Sequence, residues 1–294
     1  MCSSDLALAV GDFNADAHDD LAIGVPGDPV GAFDGAGAVQ IVYGFAGPGT
    51  RGLRLTNNQA WTEANVETGG DVAAGDGFGF ALAAGALTAD GADDLAIGAP
   101  QEDVAGSFDA GAVTVLHGDP AFGLSPLFSE LYDQSDLGDG ESIGGLDLFG
   151  WSLAIGQFVS DISGGGPLDL AIGIPSEIVA GPAGEVNGAG AVTVVPGGPL
   201  VLDPADAILW AQGLRGSAGA STLDENQAYG HTLAAGDFDG NGDADLAISA
   251  IFARGLVSPG AEVPEAGVLY VLYGALFADG FETGDSDIWS TSTP

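Results

Sequence analysis

Apolar residues along this chain come in short runs bounded by Gly, Pro and Asp, and no run sustains the 3.6-residue period of an amphipathic helix. One run recurs four times: Leu21-Ala22-Ile23-Gly24, Leu95-Ala96-Ile97-Gly98, Leu170-Ala171-Ile172-Gly173 and Leu246-Ala247-Ile248-Ser249, at spacings of 74, 75 and 76 residues. An aromatic-Gly pair precedes three of them, Phe78-Gly79, Phe149-Gly150 and Tyr229-Gly230. A β-branched run follows each, beginning at Ala38, Ala112, Ala191 and Val268, and a lone large aromatic closes the first three units, Trp61, Tyr132 and Trp210. Each unit therefore predicts four short strands, with the lone aromatic on the fourth. Apolar residues stand on both faces of the strands, which suits sheets covered on both sides. Four-stranded units stacked face to face around an axis form an all-β fold, the β-propeller. A parallel β-helix is the alternative, but its rungs are much shorter than these units.

The turn between the first and second predicted strands carries the candidate chemistry. In the fourth unit it reads Asp237-Phe-Asp239-Gly-Asn241-Gly242-Asp243-Ala-Asp245. Side-chain oxygens stand at places 1, 3, 5 and 9, glycine at place 6 makes the sharp turn, and Asp243 at place 7 offers its backbone carbonyl. Hard oxygen ligands on a tight loop suit Ca²⁺. The first unit supplies Asp12, Asn14, Asp16, the His18 carbonyl and Asp20, with Ala17 at place 6, where a positive φ favours glycine. In the second unit Ala86 and Thr88 replace the first two ligands and only Asp90 and Asp94 remain. In the third, Gln157 stands at place 1 and an inserted Ser163-Gly-Gly-Gly-Pro167 lengthens the loop before Asp169. Two loops keep the ligand spacing and two lose it together. An EF-hand is excluded, because these loops close at nine places between strands rather than at twelve between helices. An Asx-rich turn without metal is the plain alternative, and it is the preferred reading for the second and third loops.

Composition narrows the function. Lys and Arg number 4 against 42 Asp and Glu, for a formal net charge of −38. Binding nucleic acid by neutralising phosphates is therefore excluded, and affinity for anionic lipid is disfavoured. The chain is 46% hydrophobic with a mean hydropathy of +0.29, which argues against disorder. No apolar stretch is long enough to predict a membrane span. Cys2 is the single cysteine, so thiol and zinc chemistry lack raw material. Gly47-Pro-Gly49-Thr-Arg-Gly52 matches a phosphate-binding pattern, but no helix signal follows it, so the match is read as accidental. His18, His117 and His231 lie far apart and predict no catalytic cluster; they read as packing or surface residues.

Phe-Gly, then an Asp-rich loop, then Leu-Ala-Ile-Gly-Ala-Pro100 resembles the FG-GAP repeat of integrin α-subunit propellers, in the longer version found in secreted bacterial proteins. The resemblance covers roughly residues 6–274. It implies calcium in the hairpin loops of one rim and extracellular binding or adhesion rather than catalysis. It also implies that these four blades belong to a larger ring of about seven. The first and fourth loops match the family's metal pattern, so the metal-site residues are Asp12, Asn14, Asp16, His18, Asp20, Asp237, Asp239, Asn241, Asp243 and Asp245, and the cofactor is Ca²⁺.

The expected division is 1–5 non-native; 6–77 a first blade repeat lacking its Phe-Gly start; 78–148 and 149–228 the second and third; 229–275 a fourth lacking its outer strand; and 276–294 a tail. MCSSDL is what the end of a common sequencing adapter encodes when read from a GTG start, so an N-terminally truncated fragment is expected. The closing residues from Phe277 resemble a short tail of secreted bacterial proteins, implying an export or surface-sorting role, with a frayed polar terminus as the plain alternative. The reading is a secreted or cell-surface bacterial module without catalysis, whose unknown partner is an extracellular protein or glycan. Its ligand is expected on the rim opposite the calcium loops, where the second-to-third strand connections carry Asp28, Asp34, Glu102, Asp103, Asp109, Glu177, Glu185, Arg254, Glu262 and Glu265. The alternatives are a carboxylate-based lyase or hydrolase on the same scaffold, or a non-catalytic appendage of a larger secreted enzyme.

Overall fold

A computed structural model of the chain describes residues 6–66, 72–138, 143–159, 166–181, 184–211, 225–258, 261–263 and 266–273. The expected non-native start and the C-terminal tail lie outside them. The regular structure is strands and three one-turn 3₁₀ helices. No helix of the described residues is long and apolar enough to cross a membrane.

Four antiparallel meander sheets follow one another along the chain. The first consists of Leu8–Gly11, Asp20–Val25, Ala38–Val42 and Gln59–Trp61, the second of Ala81–Gly85, Asp94–Ala99, Ala112–His117 and Ser125–Tyr132. The third consists of Ser152–Gly156, Asp169–Ile174, Ala191–Val195 and Ile208–Ala211. Among the described residues the fourth has three strands, Tyr229–Gly236, Asp245–Ala250 and Val268–Leu272. The first strands of successive sheets pack against one another and so line the axis, giving the four-blade propeller arrangement that the repeat predicts. The accidental phosphate pattern falls in a hairpin, Gly44–Gly47 with Thr50–Leu53, and no helix follows it.

The core is three apolar layers, one between each pair of neighbouring blades. Phe13, Ile41 and Trp61 of the first blade meet Phe78, Leu95 and Ile97 of the second. Val113, Val115 and Tyr132 meet Phe149, Leu170 and Ile172 of the third. Phe158, Val192 and Trp210 meet Tyr229, Leu246 and Ile248 of the fourth. Strands of the middle blades bury both faces, which is why their sequences are apolar throughout rather than alternating. Trp61, Tyr132 and Trp210 are buried at the blade edges, as expected of core rather than ligand-stacking residues.

The repeated glycines are explained where blades touch. A Cβ on Gly98 would stand 2.2 Å from the carbonyl oxygen of Gly150 in the next blade. Gly24 has the same relation to Gly79 at 2.0 Å, and Gly173 to Gly230 at 2.2 Å. Ser249 occupies the equivalent place in the fourth blade, the last among the described residues. Each Phe or Tyr of the aromatic-Gly pairs is buried, and its N–H bonds across the seam to the preceding blade: Phe78 to Ala36, Phe149 to Ala110, Tyr229 to Ala189. The last hydrophobic clue is the residue at place 2 of each hairpin loop. Phe13, Leu87 and Phe158 are fully buried under the next blade, whereas Phe238 is 53% exposed.

Candidate cation-binding loops and the opposite rim

The two intact loops fold into one and the same hydrogen-bond circuit. In the first, the Asp12 carboxylate accepts from the N–H groups of Asp16 (2.9 Å) and Ala17 (2.8 Å). Asn14 accepts from Asp16 (3.0 Å), and Asp16 from His18 (3.0 Å). In the fourth, Asp237 accepts from Asn241 (3.0 Å) and Gly242 (3.1 Å), Asp239 from Asn241 (3.0 Å), and Asn241 from Asp243 (2.7 Å). Place 6 has positive φ in both, 65° at Ala17 and 98° at Gly242. Short oxygen-bearing side chains make this turn by accepting from backbone N–H groups two to five residues further along the chain.

In the fourth loop Asp237, Asp239 and Asp245 each bring a carboxylate oxygen within 4.8 Å of the others. Such an all-oxygen set fits Ca²⁺, whose oxygen ligands lie at about 2.3–2.6 Å in flexible geometry. In the first loop the same three places hold Asp12, Asn14 and Asp20, so an amide oxygen replaces the middle carboxylate. Asp16 there sits at place 5, with Asn241 as its counterpart.

Place 9 has a second duty, which the spacing alone did not reveal. The aspartate there is buried in all four blades. Asp20 accepts from the N–H groups of Phe13 (3.0 Å) and Gly44 (2.7 Å), tying the loop to the end of the third strand. Asp94 does this with Thr88 (2.9 Å) and Gly118 (3.0 Å), Asp169 with Phe158 (2.8 Å) and Gly197 (3.1 Å). Asp245 accepts from Phe238 (2.7 Å). The degraded loops therefore keep this aspartate for the hairpin itself. Burial pushes the Asp20 carboxyl up to about 6, assisted by Asp16 and Asp12 and opposed by its two backbone donors. A cation beside it would favour the ionised form.

The second loop carries a different arrangement. His117 is buried with Nδ1 3.2 Å from Asp94 and Nε2 2.8 Å from Glu130. Burial alone would lower its pKa, but the two carboxylates outweigh it and push it up to about 9. His117 thus packs, as expected, but as a buried cation. In the third loop residues 160–165, which include the start of the insertion, lie outside the described residues.

On the opposite rim the residues that follow the aromatic-Gly pairs form a row near the axis. The Phe80 ring lies 4.7 Å from Trp151, and Trp151 lies 5.5 Å from His231, centroid to centroid. All three are half-buried, and burial pushes the His231 imidazole down, toward the neutral form. The sequence reading missed Phe80 and Trp151. Their signal was the fixed offset of one residue past each Phe-Gly.

Comparison with known proteins places these features. The sequence matches the family description "FG-GAP repeat" over residues 6–42, 78–116 and 229–272. It is 30% identical over 255 residues to integrin alpha-PS2 of Drosophila melanogaster, covering 83% of this chain and 15% of that protein. It is 33% identical over 181 residues to a phosphatidylinositol-glycan-specific phospholipase D of Rattus norvegicus, covering 60% of this chain and 19% of the enzyme. The mouse form of that enzyme is 32% identical over the same length. The chain thus spans less than a fifth of the length of these relatives.

Proposed function

The chain is built of FG-GAP repeats and is homologous to an integrin α subunit over most of its length, and from that premise we propose that it is an extracellular, calcium-stabilised binding module without catalytic activity. The observation that carries the calcium part is the shared circuit of the first and fourth loops, with three carboxylates converging at Asp237, Asp239 and Asp245. Calcium would cross-link each hairpin through Asp12, Asn14, Asp16, the His18 carbonyl and Asp20, and through Asp237, Asp239, Asn241, the Asp243 carbonyl and Asp245. The ligand side is the opposite rim. There the half-exposed row of Phe80, Trp151 and His231 offers aromatic faces that suit a cationic or aromatic-stacking partner such as an extracellular protein or glycan.

Isothermal titration of the full chain with CaCl₂ tests the loops. Asp12→Ala and Asp237→Ala should each lower the number of bound ions by one, while Asp90→Ala should leave it unchanged. Unchanged stoichiometry in both loop variants would refute the assignment.

The match to a phospholipase D favours a second reading, a propeller appended to a larger enzyme. Under it the loops still hold calcium, and catalysis belongs to a part of the protein that this chain does not share.

A further inference from the structure

At the seam between the first and second blades, on the rim away from the hairpin loops, three acidic side chains from three different elements meet. Glu63 opens the one-turn helix after the outer strand of the first blade. Asp76 stands two residues before Phe78, and Glu102 follows the second strand of the second blade. All three are buried, and each brings a carboxylate oxygen within 4.8 Å of the others. Glu63 is only 8% exposed, and its Oε2 has no hydrogen-bond donor among the described residues. The Ala73 N–H donates to Asp76 at 2.5 Å.

The next seam has the same construction with one atom changed. Gln134 opens the one-turn helix there, Asp147 stands two residues before Phe149, and Glu177 follows the second strand of the third blade. The Gly144 N–H donates to Asp147 at 2.6 Å, as Ala73 does to Asp76. Here the Gln134 amide donates directly to the Glu177 carboxylate. An amide in place of the acid removes one charge and supplies a donor. At the third seam the equivalent places among the described residues are Gln227 and Ala253, with no carboxylate. Among the described residues the first seam alone gathers three buried acids, with Glu63 in the place of the amide.

We propose that Glu63, Asp76 and Glu102 form a binding site for a divalent cation, calcium by its tolerance of irregular oxygen geometry, that locks the first blade to the second. The site is separate from the hairpin loops and does not depend on them. Ca²⁺ takes oxygen ligands at about 2.3–2.6 Å in flexible geometry, whereas Mg²⁺ demands a near-ideal octahedron at about 2.0–2.1 Å and gives up its waters reluctantly. Three carboxylates brought together from three separate elements suit the ion with the more flexible geometry. A bound cation offsets the mutual repulsion of three buried carboxylates, the same repulsion that, after burial itself, pushes the Glu63 carboxyl up to about 9.

The test counts calcium ions bound to the full chain, by native mass spectrometry and titration with CaCl₂, with MgCl₂ as the control. E63Q copies the neighbouring seam and should fold while losing one ion relative to wild type. The chain carrying both Asp12→Ala and Asp237→Ala should keep one ion, and adding E63Q should remove it. Q134E should gain one. The same ion count in wild type and E63Q overturns the proposal. If E63Q loses its β-sheet circular dichroism, the Asp12→Ala, Asp237→Ala chain decides, because its seam is intact: one ion upholds the site and none overturns it. Failure of the loops alone would read differently, as one ion in wild type and none in E63Q.

Discussion

At the scale of single residues, the same amino acid serves different ends at repeat-equivalent places. Aspartate at place 9 survives in the degraded loops because it satisfies buried backbone N–H groups, whose loss would cost about 1–3 kcal/mol each. The sequence made Asp94 look like the remnant of a lost metal site, but its partners are Thr88, Gly118 and His117. His117 supplies a prediction. Its pKa in the folded chain, about 9, lies above its ordinary 6.5, so the folded state binds the proton more tightly. Its contribution is therefore complete below about pH 6.5 and is lost as pH rises through about 9. The difference corresponds to about 3 kcal/mol. Urea unfolding at pH 6 and pH 10 should show wild type losing about that much more stability than His117→Asn across the interval. Equal losses in the two proteins would mean that His117 is not a buried cation.

At the scale of elements, strands and their order were legible because a period of four strands repeats with turn residues at fixed offsets. The seams were less so. Glycine in Leu-Ala-Ile-Gly signalled a close approach without saying to what; the neighbour proves to be the glycine of the next Phe-Gly. Gly98→Ala should destabilise the chain by about 3 kcal/mol or more, because the added Cβ meets backbone rather than a movable side chain. Ser249→Ala, at the equivalent place, removes only a hydroxyl whose buried Oγ has no partner among the described residues and should not destabilise the chain. Thermal unfolding of both variants checks the contrast, and equal effects would refute the seam account. The triad of Glu63, Asp76 and Glu102 was illegible, since its members come from three elements and lack a local spacing. Glu102 stood out only as one of many acids on a connection. What could have found it is the comparison of units: Asp76 and Asp147 share a place, as do Glu102 and Glu177, while Glu63 and Gln134 differ.

At the scale of the molecule, the first and fourth blades each leave a face without a neighbour among the described residues. Leu6, Leu8 and Val10 are exposed on the first blade, and Phe238, Phe252 and Leu269 on the fourth. Exposed large apolar side chains grouped on one blade promote association. Sedimentation velocity should show concentration-dependent association of the chain, reduced in a Leu8→Glu, Val10→Glu variant; a monodisperse monomer at high concentration would contradict it. The high negative charge acts over the same scale. Diffuse acidity responds to any salt by screening, whereas a coordinated cation responds to calcium in particular. At a free concentration about 100 times the dissociation constant, one site stabilises the fold by roughly 2.7 kcal/mol. Differential scanning calorimetry of the full chain in millimolar CaCl₂ and in NaCl of matched ionic strength separates the two most directly. The account predicts a higher Tm in CaCl₂, with part of that gain lost in Asp237→Ala; equal Tm in the two salts, or a calcium gain untouched by Asp237→Ala, would contradict it.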